Sequence, residues 1–181
     1  MAHGEAAQTV RAATPDDAPV VAAIHLAAWG GNLAVGHGVA YDLATLPTLV
    51  AVAPSTAGAG SVSCAGSVVG VLTWTVDGDS LEVVSIDAVP PGHGTGTALL
   101  DAAIATARAA NLRRVWLVTT NDNLDALRFY QRRGMRIVSV APGAVDRSRL
   151  LKPAIPLVGA HGIPLRDELT LELLLAETNE V

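Results

Sequence analysis

The chain has 181 residues, a formal net charge of −5 and one cysteine; half of its residues are hydrophobic, whereas 3% are aromatic. One cysteine excludes a disulfide framework and a multi-cysteine zinc site, and the acidic balance argues against a general nucleic-acid binder. No run of about 18 apolar residues predicts a membrane span, and residues 1–8 lack the features of a secretory signal. We therefore expect a single cytoplasmic domain.

The N-terminal part begins with a predicted strand at residues 9–13. Residues 14–17 read as a helix start, because a threonine cap, a proline at the first position and two acids in the first turn are typical there. Apolar residues then recur at helical spacing, which predicts a helix that ends near residue 29. The pattern at 33–47 is ambiguous, and a short helix at about 41–46 is the prediction there.

An antiparallel meander of three strands is predicted next, at residues 49–53, 68–76 and 81–89. Residues 77–79 form the turn between the last two strands, since Asp-Gly supplies a positive φ at little cost. Serine, glycine and alanine crowd residues 54–66, which predicts a surface loop.

The second half of the chain alternates helix and strand signals. A long connection at 141–167 contains four prolines and three glycines, and connections of this length are usually functional or disordered. The predicted elements are a helix at 95–110, a buried strand at 114–119, a helix at 123–133 closed by Gly134, and strands at 135–140 and 168–175.

A glycine-rich turn between a strand and a helix is the most informative segment. Gly92, Gly94 and Gly96 allow the backbone to approach a ligand closely, and the amides at a helix start favour a phosphate or pyrophosphate. The turn lacks the Gly-Lys-Ser/Thr of a Walker loop and does not match Gly-x-Gly-x-x-Gly. Residues 93–98 fit the acyl-CoA loop Arg/Gln-x-x-Gly-x-Gly/Ala everywhere except at the first residue. A helix start without a ligand is the alternative.

Two motifs make the chain resemble the GNAT acetyltransferase family over nearly its whole length. The sequence Ile-Asp-Ala-Val-Pro at 86–90 is followed by His-Gly-Thr-Gly-Thr-Ala-Leu-Leu at 93–100, and Asn-Leu-Asp-Ala-Leu-Arg-Phe-Tyr at 123–130 precedes Gly134 and Met135. Two positions depart from the family pattern: His93 replaces an arginine or glutamine, and Met135 replaces a phenylalanine. The C-terminal part looks like that of one bacterial subgroup.

The resemblance implies an α/β fold in one domain, 1–181. The expected architecture is a mixed central sheet of about seven strands, splayed between strands four and five and flanked by about four helices. It also implies acetyl-CoA as the cofactor, with coenzyme A as product. The residues expected to bind it are Ile86, Asp87 and Ala88 at the pantetheine arm, His93, Gly94, Thr95, Gly96, Thr97 and Ala98 at the pyrophosphate, and Asn123 and Tyr130.

The implied reaction is direct attack of an amine on the thioester, which needs a base and an acid. Tyr130 occupies the family's usual acid position, with a buried core ring as the alternative interpretation. Glu82 and Asp87 are the two candidate bases. Strand alternation places these two side chains on opposite faces unless a bulge intervenes. Asn123 contacts the pantetheine, caps its helix, or does both.

Acceptor binding is the least defined part of the prediction. His25, Trp29 and Trp74 are candidate pocket residues, although a His–Trp pair in the helix core is an equal alternative for the first two. No spacing typical of a metal site is present. We expect 141–167 to form a lid and to contribute to a homodimer. The leading hypothesis is an N-acetyltransferase for a small-molecule amine; the alternatives are a non-catalytic acyl-CoA-binding domain and an acetyltransferase acting on a protein amine.

Overall fold

A seven-stranded mixed sheet forms the centre of the protein. The computed structural model describes residues 8–54 and 67–175, so the predicted loop falls outside the described residues except at Pro54. The strands of the sheet are β1 (Thr9–Ala12), β4 (Thr48–Val52), β5 (Val68–Asp77), β6 (Ser80–Ala88), β7 (Arg114–Thr120), β8 (Arg136–Ala141) and β9 (Glu168–Leu174). Their order is β1-β4-β5-β6-β7-β9-β8. The predicted strand number is confirmed.

Within residues 8–54 and 67–175, four α-helices flank this sheet, which agrees with the prediction of about four. They are α1 (Ala18–Trp29), α2 (Thr95–Ala109), α3 (Leu124–Gln131) and α4 (Ala144–Leu151). The apolar face of α2 is buried in the larger core, against residues such as Leu72 and Leu81. On the other face of the sheet, Ile24 of α1 packs against Val50 and Val71. Val71 and Leu72, which are neighbours on β5, therefore pack into hydrophobic clusters on opposite faces of the sheet, as the alternation of side chains along a strand requires.

The first turn before α1 begins as the sequence predicts, although a carboxylate rather than the threonine hydroxyl caps it. Residues Pro15–Asp17 form a 3-10 turn, and the Asp17 carboxylate accepts hydrogen bonds from the backbone and hydroxyl of Thr14, at 2.7 and 2.8 Å. Arg11 donates to both oxygens of the same carboxylate at 2.6 and 2.9 Å. Gly30 ends α1 with a φ of +72°.

Strands β6 and β7 are paired over three residues only. The parallel register joins Ser80, Leu81 and Glu82 to 114–116, and the described pairing stops there. From residue 83 onward the two strands diverge, and this divergence opens a wedge in the middle of the sheet. The predicted splay between the fourth and fifth sheet strands is therefore present.

A β-bulge lies beside the wedge. Thr73 is opposite Ser85, whereas Trp74 is opposite Val83, so Val84 is an extra residue in β6. Such an insertion reverses the alternation of the side chains that follow it. The extra residue therefore places Glu82 and Asp87, five residues apart, on the same face of β6, and both line the same cavity.

Two parts of the structure differ from the sequence prediction. The helix predicted at 41–46 is wrong: Tyr41 lies in a two-stranded hairpin, β2 (Leu33–Gly36) and β3 (Val39–Asp42), and only Leu43–Thr45 form a 3-10 turn. The connection at 141–167 contains α4 and a further 3-10 turn, Ala160–Gly162, which the prolines and glycines of that segment did not indicate. No helix in the described ranges has the length and apolarity needed to cross a membrane.

Candidate active site

The wedge between β6 and β7 opens into a cavity of about 630 Å³. One wall is β6, with Glu82, Ser85 and Asp87, and the opposite wall includes residues 117–120 of β7 together with Tyr130 of α3. Polar and apolar groups therefore meet in a concave, partly enclosed site, which is the usual form of a small-molecule site.

Glu82 is a buried carboxylate at the narrow end of the wedge, and its side chain is 6% exposed. Tyr41 Oη donates to Glu82 Oε2 at 2.9 Å, and His37 Nε2 lies 2.9 Å from Glu82 Oε1. Both partners come from the β2–β3 hairpin. The pKa of His37 is raised, mainly because its ring is hydrogen-bonded to the Glu82 carboxylate.

Asp87 lies further along the same wall, beside the first helix. Trp29 Nε1 donates to Asp87 Oδ2 at 3.0 Å, and burial raises the pKa of this carboxyl group. The pKa of Tyr130 is also raised, first by burial and then by the negative charge of Asp87. Tyr130 therefore keeps its proton at neutral pH and has a hydroxyl group that can donate a hydrogen bond into the cavity.

The glycine-rich turn leads from the end of β6 into α2. Gly94 adopts a left-handed backbone with a φ of +78°, directly before the first helical residue, Thr95. The N–H of Ala98 donates to the carbonyl of Gly94 at 3.0 Å, so this amide is used within the helix. The N–H groups at the start of α2 lack helical acceptors, and the helix dipole favours an anion there. His93 is exposed and its Nδ1 lies 3.1 Å from the carbonyl of Pro91.

Three arginines surround a second, more open cavity of about 670 Å³ next to this turn. Its lining combines Gly92 and Thr97 with Arg128, Arg132 and Arg133 of the α3 region. The Arg133 guanidinium lies 3.7 Å from the centre of the Phe129 ring and also hydrogen-bonds to Thr97 Oγ1. Local positive charge thus adjoins the turn in a chain whose net charge is −5.

Segments from two distant parts of the chain cover one end of the main cavity. Its lining includes residues 34–36 and Tyr41 of the hairpin, and Val145, Ser148 and Lys152 of the α4 region. Lys152 Nζ donates to the carbonyls of Trp29 and Leu33, each at 2.6 Å. This lysine joins the end of α4 to the end of α1 and the start of the hairpin.

The buried Glu168 side chain joins the same cover to the sheet. Ser148 Oγ donates to Glu168 Oε1 at 3.1 Å, and the backbone N–H of His37 donates to Glu168 Oε2 at 2.8 Å. Helix α4 and the hairpin are therefore attached to one carboxylate at the start of β9.

The structure brings most of the predicted site residues to the wedge and its turn. Ile86, Asp87, Asn123 and Tyr130 line the main cavity, and the Asn123 side chain also caps α3 by accepting from the N–H of Ala126 at 3.2 Å. Ala88 ends β6 immediately before the turn.

Two of the three predicted acceptor residues lie outside the cavity lining. His25 is fully buried under α1, with Nε2 3.4 Å from Thr73 Oγ1, and burial lowers its pKa. Trp74 packs against the larger hydrophobic core. Trp29 does line the cavity. The position of His25 is that of a core residue, because the α1 face it occupies is turned towards β5.

Several residues of the site were not among the predicted site residues. His37 and Tyr41 belong to a hairpin that was not predicted, and Glu168 and Ser148 are separated by the unpredicted α4 connection. For His37 one signal was available: His-Gly between two short apolar runs is compatible with a two-residue hairpin turn.

The chain is similar to known proteins in its sequence and in its fold. The model of the acetyltransferase (GNAT) family matches residues 61–135. An uncharacterized protein of Bacillus subtilis (strain 168), YdhI, is 43% identical over 112 residues, which are 62% of this chain and 70% of YdhI.

Solved structures with the same fold cover nearly the whole chain. A GNAT family acetyltransferase from Elizabethkingia anophelis with acetyl-CoA bound has a TM-score of 0.62 and 18% identity, covering 93% of this chain and 98% of its own. The ribosomal-protein-alanine N-acetyltransferase from Brucella melitensis has a TM-score of 0.61 and 20% identity, covering 92% and 99%.

Proposed function

The chain belongs to the GNAT acetyltransferase family, which uses acetyl-CoA, and from this membership we propose that it acetylates the primary amine of a small molecule. The observation that carries the proposal is the wedge between β6 and β7, which opens into a partly enclosed cavity lined by Glu82, Asp87 and Tyr130.

The residues present fit a phosphate-rich acyl carrier. The left-handed Gly94 and the unbonded amides at the start of α2 form a cradle for an anion, and Arg128 and Arg132 supply positive charge beside it. The facing edges of β6 and β7 are unpaired after Glu82 and Trp116, respectively. Their backbone groups can therefore hydrogen-bond to the extended pantetheine arm of acetyl-CoA. Acetyl-CoA bound there would supply the acetyl group as a thioester.

Glu82 is the residue we assign as the base. It is buried, faces the cavity and is held at both oxygens by hydrogen bonds from the hairpin. Its carboxylate takes the proton that the acceptor's ammonium group must lose before it can act as a nucleophile. Asp87 is the alternative base; it accepts from Trp29, and its negative charge contributes to the raised pKa of Tyr130.

Tyr130 is the residue we assign as the acid. Its hydroxyl proton is retained because burial and the charge of Asp87 both raise its pKa. A neutral phenol in this position can donate its proton to a leaving thiolate at the moment of transfer.

A small acceptor is favoured by the cover over the cavity. The hairpin and the α4 region meet above Glu82, and Lys152 closes the gap between them through two carbonyls. A protein substrate needs an open groove at this point. The 141–167 segment, predicted to be a lid, contributes Val145, Ser148, Lys152 and Leu165 to the lining.

The direct test is thiol release from acetyl-CoA in the presence of a panel of small amines and of short peptides. We expect turnover with at least one small amine, coenzyme A binding by calorimetry, and loss of turnover in Glu82→Gln but not in Glu172→Gln, which lies outside the cavity. Binding without turnover would instead indicate a non-catalytic acyl-CoA-binding domain. Turnover with peptides alone would assign the acceptor to proteins.

A further inference from the structure

His37 lies at the tip of the β2–β3 hairpin. The two turn residues, His37 and Gly38, have φ values of +41° and +83°. Histidine, with asparagine and aspartate, is enriched among the non-glycine residues at positive φ, so the turn accommodates it. The case for a role of His37 therefore depends on the contacts of its ring.

The His37 ring lies within a cluster that joins four strands. Its Nε2 is 2.9 Å from Glu82 Oε1 of β6 and 2.9 Å from Tyr41 Oη of β3, and its ring centre is 5.2 Å from that of Trp116 of β7. The backbone N–H of the same residue donates to Glu168 of β9. One residue thus fixes the hairpin to both sides of the wedge.

The hydrogen bonds determine where the protons are. A carboxylate can only accept, and Tyr41 uses its single proton on Glu82 Oε2. The Tyr41 oxygen must then accept from His37 Nε2, so that Nε2 carries a proton and donates towards Glu82 as well. Both oxygens of Glu82 are consequently held, and the orientation of its carboxylate is fixed.

We propose that His37 is a positioning residue that orients the Glu82 carboxylate within the cavity. His37 is not among the residues that line the cavity, so it acts through Glu82. The proposal rests on the proposed function for its catalytic consequence, whereas the coupling between the two side chains can be measured without any reaction.

The hydrogen bond to Glu82 stabilises the imidazolium form of His37 and raises the pKa of its ring. The ionisable groups facing His37 are Glu82, Glu168 and Tyr41. The nearest cation on β7 is Arg114, whose guanidinium lies 5.3 Å from the ring centre of Trp116, the tryptophan that contacts His37. The His37 side chain is 30% exposed, so it exchanges protons with solvent while Glu82 stays buried.

The first experiment follows the His37 ring by NMR during a pH titration of the protein without acetyl-CoA. We expect a midpoint above the ordinary histidine value of about 6.5, and a lower midpoint in Glu82→Gln. An unchanged His37 midpoint in Glu82→Gln would overturn the proposal, whatever the enzyme's activity.

The second experiment uses variants that suit the left-handed turn. His37→Asn and His37→Gly remove the ring at a position where both residues are well tolerated, so we expect folded proteins, checked by thermal melting. In both we expect kcat to fall at least tenfold, the KM for acetyl-CoA to change less than twofold, and the acid limb of the pH profile to move. His37→Gln restores a donor but not a titrating group; kcat should partly recover while the acid limb stays displaced.

His161→Asn is the matched control, since it is the same substitution at another left-handed histidine, with a φ of +58°, in an exposed turn. We expect wild-type rates and a wild-type pH profile there. Wild-type kcat together with an unchanged pH profile in His37→Asn and His37→Gly would overturn the positioning role. Absence of acetyl transfer in the wild type would contradict the proposed function and leave the NMR result to decide the coupling.

Discussion

Asp17 holds the first turn of the fold through four hydrogen bonds. Two come from Arg11 and two from Thr14, and together they keep the pKa of the carboxyl group well below its usual range. Because the folded pKa lies below the unfolded value, this carboxylate contributes its full stability above the unfolded pKa of about 4 and loses it as the pH falls through the folded pKa.

Asp17→Asn is therefore expected to lower the free energy of unfolding at pH 7 by about 1–2 kcal/mol, the usual cost of losing a cap. The difference from wild type should shrink as the pH falls below 4. Urea denaturation at several pH values measures it. Asp16→Asn, the exposed neighbour in the same turn, is the control, and an equal loss in both variants would contradict the role given to Asp17.

The Tyr130→Phe variant tests whether Tyr130 acts in catalysis rather than in coenzyme A binding. The ring stays in its buried place, at 5.1 Å from the Phe129 ring, while the proton of the hydroxyl group is removed. We expect kcat to fall by about 100-fold, a typical contribution of a general acid, with coenzyme A affinity within about twofold. Calorimetry and single-turnover kinetics give the two numbers. Unchanged kcat would transfer the acid role to another group.

Glu82 and Asp87 illustrate how much of the site the sequence reveals. Both were identified as candidate bases, but alternation alone places them on opposite faces of a strand. The extra residue Val84 changes this, and its position depends on the register between β5 and β6, a long-range pairing. His37 and Glu168 were not recognised because their partners are 45 and 131 residues away in the chain.

At the scale of elements, Gly70 allows α2 to lie close to β5. A Cβ atom there would stand 2.6 Å from Thr95 Cγ2, 2.9 Å from the carbonyl oxygen of Asp87 and 3.1 Å from Leu99 Cδ1. These contacts include backbone at the end of β6 and the first residue of α2, the two elements that the glycine-rich turn connects.

Gly70→Ala is expected to lower the free energy of unfolding by about 1–3 kcal/mol, as for overpacking elsewhere, and to weaken coenzyme A binding by shifting Thr95. Thermal melting and calorimetry measure the two effects. Gly36→Ala, where a Cβ meets open space, is the control for stability. A Gly70→Ala variant with wild-type stability would contradict this prediction, because it would mean that α2 can shift away from β5 without lowering the free energy of unfolding.

Elements with a strong local pattern were predicted well, and those with a weak one were not. The sheet strands and α1 to α3 agree with their predicted ranges to within a few residues. Helix α4 lies between Gly143 and Pro153 in a segment with four prolines, and its stability comes from contacts such as that of Ser148 with Glu168. The β2–β3 hairpin is short, and its mixed apolar pattern resembles that of a helix.

At the scale of the whole molecule, ligand binding should stabilise the fold in a salt-dependent way. Coenzyme A at a hundredfold excess over its Kd is expected to add about 2.7 kcal/mol, roughly 5–10 °C in Tm for a chain of this size. Arg128→Ala and Arg132→Ala should reduce this shift, as should added KCl, because exposed charges are screened. Arg147→Ala, away from the second cavity, should retain it. A shift independent of salt would contradict a role for the arginines.

The homodimer remains a prediction, and exposed apolar residues favour it. Leu150, Leu151, Leu157 and Val158 of the 141–167 segment are between 48% and 83% exposed. Sedimentation velocity should detect a dimer, and a Leu150→Glu, Leu157→Glu variant should be monomeric with an unchanged melting temperature. A monomeric wild type at micromolar concentration would contradict the prediction.

The short contact between β6 and β7 also has a mechanical meaning. Eight residue pairs join β5 to β6, but three join β6 to β7, so a force separating the four-stranded from the three-stranded half of the sheet concentrates on those three. In an optical trap, with handles on β1 and β8, this seam should be the first part of the sheet to rupture. A molecule hydrogen-bonded to both free strand edges would share the load, and the increase in rupture force would report its presence directly.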